Sequence, residues 1–407
     1  MGLDKLNKVL EAELKYLKEK GVLKGEEDVI TGIKPGKNGY GPRYTIRGYE
    51  NKEFLRMNSN SYLGLSLKKE VIEAEEEAAR KYGTGPGAVR FISGTFLPHV
   101  ELEQKLAQFH GKEAGMIFGS AYSTIMGILP SLIDGKTVVI SDELNHNCII
   151  NAIRLSRPKD KKIYPHNDMD ELESILRLIS GSCKRVILVT DGIFSMRGDH
   201  APLGEIAELA EVYGENFEEG IITIIDDSHG VGAFGKTGRG TTEYSGESRI
   251  DIIVATLGKA LGVNGGYIVS DARVVEYLRE RAPFYIYSNP ITPAEASASI
   301  RALEILDSER GREMLSHLRN MSRRLKEGFT KLGFEVVEGE HPIVPLIIRD
   351  TKRTAELVNF LKENMILATG IKYPVVPRGS EEIRFQVSAD HTEADIDYVL
   401  EVLGKFS

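Results

Sequence analysis

Between residues 116 and 269, short unbroken apolar runs alternate with segments of helical periodicity. The runs are Met116–Phe118, Val138–Ile140, Val186–Val189, Ile221–Ile225, Ile252–Ala255 and Tyr267–Val269, and helical spacing covers roughly 122–133, 147–155, 169–179 and 202–213. A strand that is apolar at every position, rather than at every second one, has both faces buried. Strands of that kind separated by helices predict an α/β architecture, a mostly parallel sheet covered on both faces. The flanks read differently. Leu3, Leu6, Val9, Leu10, Leu14 and Leu17 predict a helix over 3–20, and 32–61 reads as irregular chain with short strands. Helices are expected at 68–82 and 99–110, separated by the glycine-rich GTGPGAVRFISGT at 83–95. A long helical stretch at 293–333 then leads to strand-like Pro342–Ile348, a helix near 352–365, strand-like Ile383–Val387 and a last helix near 392–404. The expected organisation is an N-terminal helix and arm (1–55), a large α/β domain (56–290) and a smaller α+β C-terminal domain (291–407).

Composition removes several function classes. Lysine and arginine total 52 against 60 acidic residues, a net charge of −8, which lacks the positive footprint of a nucleic-acid binder. The two cysteines, Cys148 and Cys183, give neither a disulfide framework nor a zinc pattern, so no metal is expected. No apolar run approaches the ~18 residues of a membrane span. The N-terminal segment is charged throughout, without a signal peptide's apolar region. A cytoplasmic protein with no membrane partner is expected.

In open parallel sheets, ligands bind beyond the carboxyl ends of the strands. Five successive apolar runs are followed there by polar residues: Ser120-Ala121-Tyr122, then Ser141 to His146, Thr190 to Ser195, Asp226 to Gly230, and Thr256 to Lys259. Taken singly, Ser120, Asp142 and Asp191 read as caps or turn residues, His146 and His229 as structural histidines, and Lys259 as a surface lysine. The setting of Lys259 argues otherwise. In VATLGKALGVNGGYIV it is the only charge between Asp251 and Asp271. A lysine desolvated in such a stretch loses its proton more readily, as a Schiff-base nucleophile must. An aspartate at a buried strand end, Asp226, needs a cationic partner, and a protonated pyridine nitrogen is one. That pairing belongs to pyridoxal phosphate (PLP) chemistry. The turn at Ser120, Ala121 and Tyr122 opens a helix whose N–H groups suit a phosphate, and His146 could stack on the ring.

Residues 230–237, GVGAFGKT, also match the phosphate-loop pattern GxxxxGK[ST], with Lys236 in the lysine position. Such a loop leaves its strand directly and opens a helix. Here Asp226-Asp227-Ser228-His229 intervene, and the following GRGTTEYSG is a poor helix start, which argues against a nucleoside triphosphatase.

Several segments in one order resemble the α-oxoamine synthases: NSYLGL (60–65), SDELNH (141–146), TDGIFSMRGD (190–199), DDSHGVGAFGKTGRG (226–240), TLGKALG (256–262) and IRFQVSADHT (383–392). The resemblance runs from about residue 50 to 405. It implies the PLP-dependent transferase fold type I (aminotransferase-like) and a PLP-dependent acyl-CoA:amino-acid C-acyltransferase. By the same resemblance, Lys259 would carry PLP and move protons at the substrate Cα, and Asp226 would pair with the pyridinium nitrogen. His229 and Ser195 would bond the ring oxygen or the incoming carbonyl, and His146 would stack on the ring. Ser120, Ala121, Tyr122 and Thr256 would hold the phosphate, with Ser288 reaching over from a second subunit of a homodimer. Arg384, helped by Asn60, would bind the amino-acid carboxylate. The phosphate loop departs from its relatives at Ala121 and Ile125, and GENFEEG (214–220) reads as a surface insertion.

Within the family, VRFISGT (89–95), ELEQKLAQF (101–109), SDELNHNCIINAIRL (141–155) and YPVVPRG (373–379) look most like the glycine C-acetyltransferases (2-amino-3-ketobutyrate coenzyme A ligases). The expected reaction is therefore glycine with acetyl-CoA. The alternative is the 8-amino-7-oxononanoate synthase reaction, L-alanine with a pimeloyl thioester, as in biotin synthesis.

Overall fold

The computed structural model describes residues 2–20, 23, 27–49, 51–373 and 376–406. Pro374 and Val375 of the 373–379 segment lie outside the described residues. Among the described residues a seven-stranded sheet forms the centre. Its strands are β1 (Ala114–Phe118), β2 (Thr137–Asp142), β3 (Asp160–Tyr164), β4 (Arg185–Asp191), β5 (Ile221–Asp226), β6 (Ile252–Thr256) and β7 (Gly266–Ser270), in the order β1-β7-β6-β5-β4-β2-β3. β7 runs antiparallel to β1 and β6, and the other pairs are parallel.

The continuous apolar runs divide between two cores by simple alternation. Val138, Ile140, Val186, Leu188, Ile225 and Ile253 face one core. Val139, Ile187, Val189, Ile224 and Val254 face the other, against Ile125, Ile128 and Leu129 of helix Ala121–Leu132 and Ile149 and Ile153 of helix Asn147–Ser156. Each such side chain contributes about 1.5–3 kcal/mol of burial.

β3 was not expected. Its sequence, DKKIY, pairs only with β2 at the sheet edge, and Ile163 is more than half exposed. An edge strand can be charged because water covers its outer side. Helix Ala272–Arg281, with Val275 and Leu278 buried, was also not expected. The long stretch at 293–333 is two helices, Pro293–Leu306 and Glu309–Lys331. The break is Ser308, whose hydroxyl accepts from Gly311 N and starts the second helix.

The first of these helices packs along helices Lys69–Tyr82 and Leu97–His110. The second meets a four-stranded sheet in which Ile343–Ile347 and Glu382–Gln386 run antiparallel, flanked by Glu335–Val336 and Thr369–Ile371. Helices Thr351–Glu363 and Glu393–Leu403 complete this end of the chain. The expected boundary at 55/56 falls inside strand Leu55–Arg56, which pairs with Ile366–Leu367. Helix Gly2–Glu19 has no buried residue. In the 214–220 segment Phe217 is buried, and Glu218 and Glu219 pair with Lys184 and Arg185. No helix among the described residues is long and apolar enough to cross a membrane.

Candidate active site

The polar segments beyond β1, β2, β4, β5 and β6 meet in one cavity of about 240 Å³. Ser120, Ala121 and Tyr122 line it from the start of helix Ala121–Leu132, and Thr256 and Lys259 from the loop after β6. His146, Ser195, Asp226 and His229 complete the walls predicted from sequence. Asp191, Cys148, Ser228 and Ile193 line it too, and none of them was assigned a role from sequence. The signal for Asp191 was available: it ends β4 in register with Asp226, which ends β5.

The Lys259 loop is pressed into place. Gly262 has φ +73° and a Cβ there would meet Ser66 N at 2.5 Å, so only glycine lets the loop close on the 61–66 segment. Burial pulls the Lys259 pKa down to about 8, against the raising pull of Asp226 and Asp191. Asp226 Oδ1 accepts from Ser228 N at 3.1 Å, and Cys148 Sγ lies 3.7 Å from Oδ2. Asp191 Oδ2 accepts from His146 N at 3.1 Å, and burial beside Asp226 pushes the Asp191 carboxyl well up. Two buried carboxyls side by side call for a positive charge between or before them.

The two histidines are neutral for the same reason. Burial lowers the His229 pKa strongly, helped by Lys259 and Arg384. Its Nδ1 lies 2.7 Å from the Tyr62 hydroxyl, whose own pKa burial pushes up, and its carbonyl accepts from His341 Nε2 at 2.8 Å. The same Tyr62 hydroxyl donates to Asn60 Oδ1 at 3.3 Å, which ties the imidazole to the 60–62 segment. His146 is the N-cap of helix Asn147–Ser156, and its Nδ1 accepts from Cys148 N. Burial lowers its pKa against the pull of Asp226.

At the other end, Ser120 caps its helix by accepting from Ser123 N at 3.0 Å. The N–H groups of Ala121 and Tyr122 come first in the helix and have no intrahelical acceptor. Gly266 on β7 lies directly beneath them. Tyr122 is held by Asn147 and Asn151. The Thr256 hydroxyl is already engaged, donating to Gly265 O and accepting from Gly258 N, each at 3.0 Å.

Arg384 and Asn60 lie beside the cavity rather than in its wall. Arg384 Nε donates to the Ser195 carbonyl at 2.6 Å, and Nη1 reaches Asn60 Oδ1 at 3.4 Å. Gln386 Nε2 holds the same Asn60 oxygen at 2.6 Å. Ser288 is exposed and does not line the cavity of its own chain. The 230–237 segment closes on itself: Gly232 N bonds Gly238 O and Val231 pairs with Arg239. Lys236 is exposed there and opens no helix, so the phosphate-loop reading fails.

The donor set fits PLP. An amine with a depressed pKa, a buried carboxylate pair, a helix N-terminus and a buried Ser228 hydroxyl with no partner among the described residues face one space.

The sequence profile of aminotransferase class I and II matches residues 52–403. An 8-amino-7-oxononanoate synthase from Symbiobacterium thermophilum is 40% identical over 89% of this chain and 90% of its own. One from Bacillus subtilis is 36% identical over 97% and 96%. A solved serine palmitoyltransferase variant from S. paucimobilis, with a bound PLP–myriocin aldimine, superposes with a TM-score of 0.87 at 27% identity, covering 99% of this chain and 97% of that one.

Proposed function

The chain belongs to the aminotransferase class I and II family and, within it, to the PLP-dependent α-oxoamine synthases, and from that premise we propose that it joins L-alanine to a pimeloyl thioester, releasing the thiol and carbon dioxide. The observation that supports this substrate pair is the series of relatives named 8-amino-7-oxononanoate synthase at 36–40% identity over most of the chain. It overturns the glycine C-acetyltransferase expectation. Two of the four segments behind that expectation serve scaffold and cofactor: 101–109 lies in helix Leu97–His110, and 141–155 carries the β2 end and His146. Neither reports on the acyl chain.

Bound at this cavity, PLP would supply a carbonyl for an amine and a ring that accepts an electron pair. Lys259 would hold it covalently, Asp226 would face its ring nitrogen, and the N–H groups of Ala121 and Tyr122 would take its phosphate. Lys259 Nζ takes the proton that leaves the amino acid's Cα and later returns it. Its low pKa leaves about one amine in ten neutral at pH 7 in the protein without PLP. His146 would pack on the ring face, and His229 and Ser195 would hydrogen-bond oxygen atoms in the cavity. Arg384, already fixed through Nε, would offer Nη2 to the carboxylate, and Nη1 as well once its 3.4 Å bond to Asn60 Oδ1 is given up, which would make the pair bidentate. Asn60 limits where that carboxylate sits. The Thr256 hydroxyl would join the phosphate only by giving up its bond to Gly265 O. Ser288 would act from the second subunit of a homodimer, and residues 56–290 would form the PLP-binding domain between the N-terminal arm and the C-terminal domain.

Thiol release from pimeloyl-CoA with L-alanine, set against acetyl-CoA with glycine, tests the proposal. Faster release with the first pair is expected. Faster release with the second would refute the substrate pair and leave the family untouched.

A further inference from the structure

Outside the cavity, one histidine is gripped by two carboxylates. His166 follows β3. Its Nδ1 lies 3.2 Å from Asp142 Oδ1 and its Nε2 lies 3.2 Å from Asp199 Oδ2. An ionised carboxylate only accepts, so a carboxylate at each ring nitrogen favours the imidazolium, which donates from both. The ring also stands edge-on to Phe194, 4.3 Å between centroids at 86°.

Each carboxylate shapes a loop that lines the cavity. Asp142 ends β2, accepts from Leu144 N at 2.8 Å and Asn167 N at 2.9 Å, and its carbonyl accepts from Asn145 N. That turn delivers His146. Asp199 closes the loop after β4, where its carbonyl accepts from Phe194 N and its Oδ2 from Arg197 Nε. That loop delivers Ser195, whose carbonyl fixes Arg384. His166, Asp142 and Asp199 do not themselves line the cavity.

We infer that the bridge from Asp142 through His166 to Asp199 is a positioning device: it sets the 142–146 and 192–199 loops against each other and, through the Ser195 carbonyl, sets the angle of Arg384. The inference rests on the proposed function only where it concerns amino-acid binding. The groups facing His166 favour its charge. Burial opposes it, yet the bonds to Asp142 and Asp199 raise its pKa to about 9. Glu143 adds a carboxylate, accepting from His166 N at 3.0 Å, while Arg197 sits beyond Asp199 and opposes. Asn167 Nδ2 lies 3.3 Å from His166 Nε2, where it opposes the charge, and donates to the His200 carbonyl at 3.1 Å.

His166→Gln removes the charge and keeps a side chain of similar reach, and Asp199→Asn weakens the loop side alone. Amide hydrogen exchange in the protein without PLP is the first readout. Exchange over 193–199 should rise on the order of tenfold in both variants. In the PLP-loaded enzyme, the amino-acid KM should rise on the order of tenfold with a smaller change in kcat. The wild-type KM should climb as pH passes about 9, and that limb should vanish in His166→Gln. Unchanged local exchange and an unchanged KM in both variants would overturn the inference. So would a lower melting temperature with no change in KM or its pH profile, since a merely structural bridge does that. If the wild-type protein turns over no amino acid and thioester pair, the proposed function fails, and the exchange comparison still decides the bridge.

Discussion

Gly266→Ala tests whether the start of helix Ala121–Leu132 binds the phosphate. A Cβ at 266 would lie 2.2 Å from Ala121 N, 2.4 Å from Ser120 C and 2.5 Å from Ala121 Cα. All three are backbone atoms, so no side chain can swing aside. β7 is fixed on both sides, with Gly266 opposite Phe118 and Thr256. Ordinary contact begins near 3.4 Å, so Ala121 N must retreat by about 1.2 Å. That shift removes at least one N–H bond to a charged phosphate, about 1.5–3 kcal/mol, or roughly 10- to 150-fold in PLP affinity. The overpacking should also cost about 1–3 kcal/mol of stability. The assay is PLP titration of the protein without cofactor, followed by visible absorbance, with a melting curve alongside. Gly204→Ala, whose Cβ would meet nothing within 4 Å, is the control. A folded Gly266→Ala protein with PLP affinity within twofold of wild type would refute the phosphate assignment.

Lys259→Ala should lose the yellow colour and nearly all turnover, and residual activity above a few per cent of wild type would count against the assignment. Arg384→Ala should raise the amino-acid KM by a charge-assisted bond of about 1.5–3 kcal/mol while leaving the thioester KM alone. The rate of PLP uptake should rise about tenfold per pH unit below pH 8 and flatten above it, because burial holds the Lys259 pKa near 8 and only the neutral amine attacks. A flat profile in stopped-flow absorbance would contradict that. Away from the cavity, Glu103 accepts from Arg90, Arg279 and Ile117 N at 2.8–3.2 Å and is 5% exposed. Glu103→Gln leaves two arginines without a carboxylate and should cost about 3–5 kcal/mol in urea unfolding.

The central sheet is legible because a strand buried on both faces must be apolar at each position, as in Val186–Val189. The charged edge strand Asp160–Tyr164 breaks that rule because water covers one side of it. The helix break at Ser308 is hidden for another reason. Leu306 and Leu315 are buried on either side of it, so apolar spacing runs through while the cap stops the backbone. The site is legible where chemistry follows directly on a strand, as with Asp226 and Lys259. Cys148 escapes because it lies two residues into a helix, where apolar neighbours make it look like core. The role proposed for Ser288 would need a second chain, and the motifs that carry the cofactor residues do not describe the acyl chain.

The central claim is that Lys259 carries PLP. Borohydride reduction of the PLP-loaded protein, followed by peptide mapping, tests it most directly. The account predicts one phosphopyridoxyl group on the peptide containing Lys259. A label on Lys236 or another lysine, with Lys259 unmodified, would contradict it.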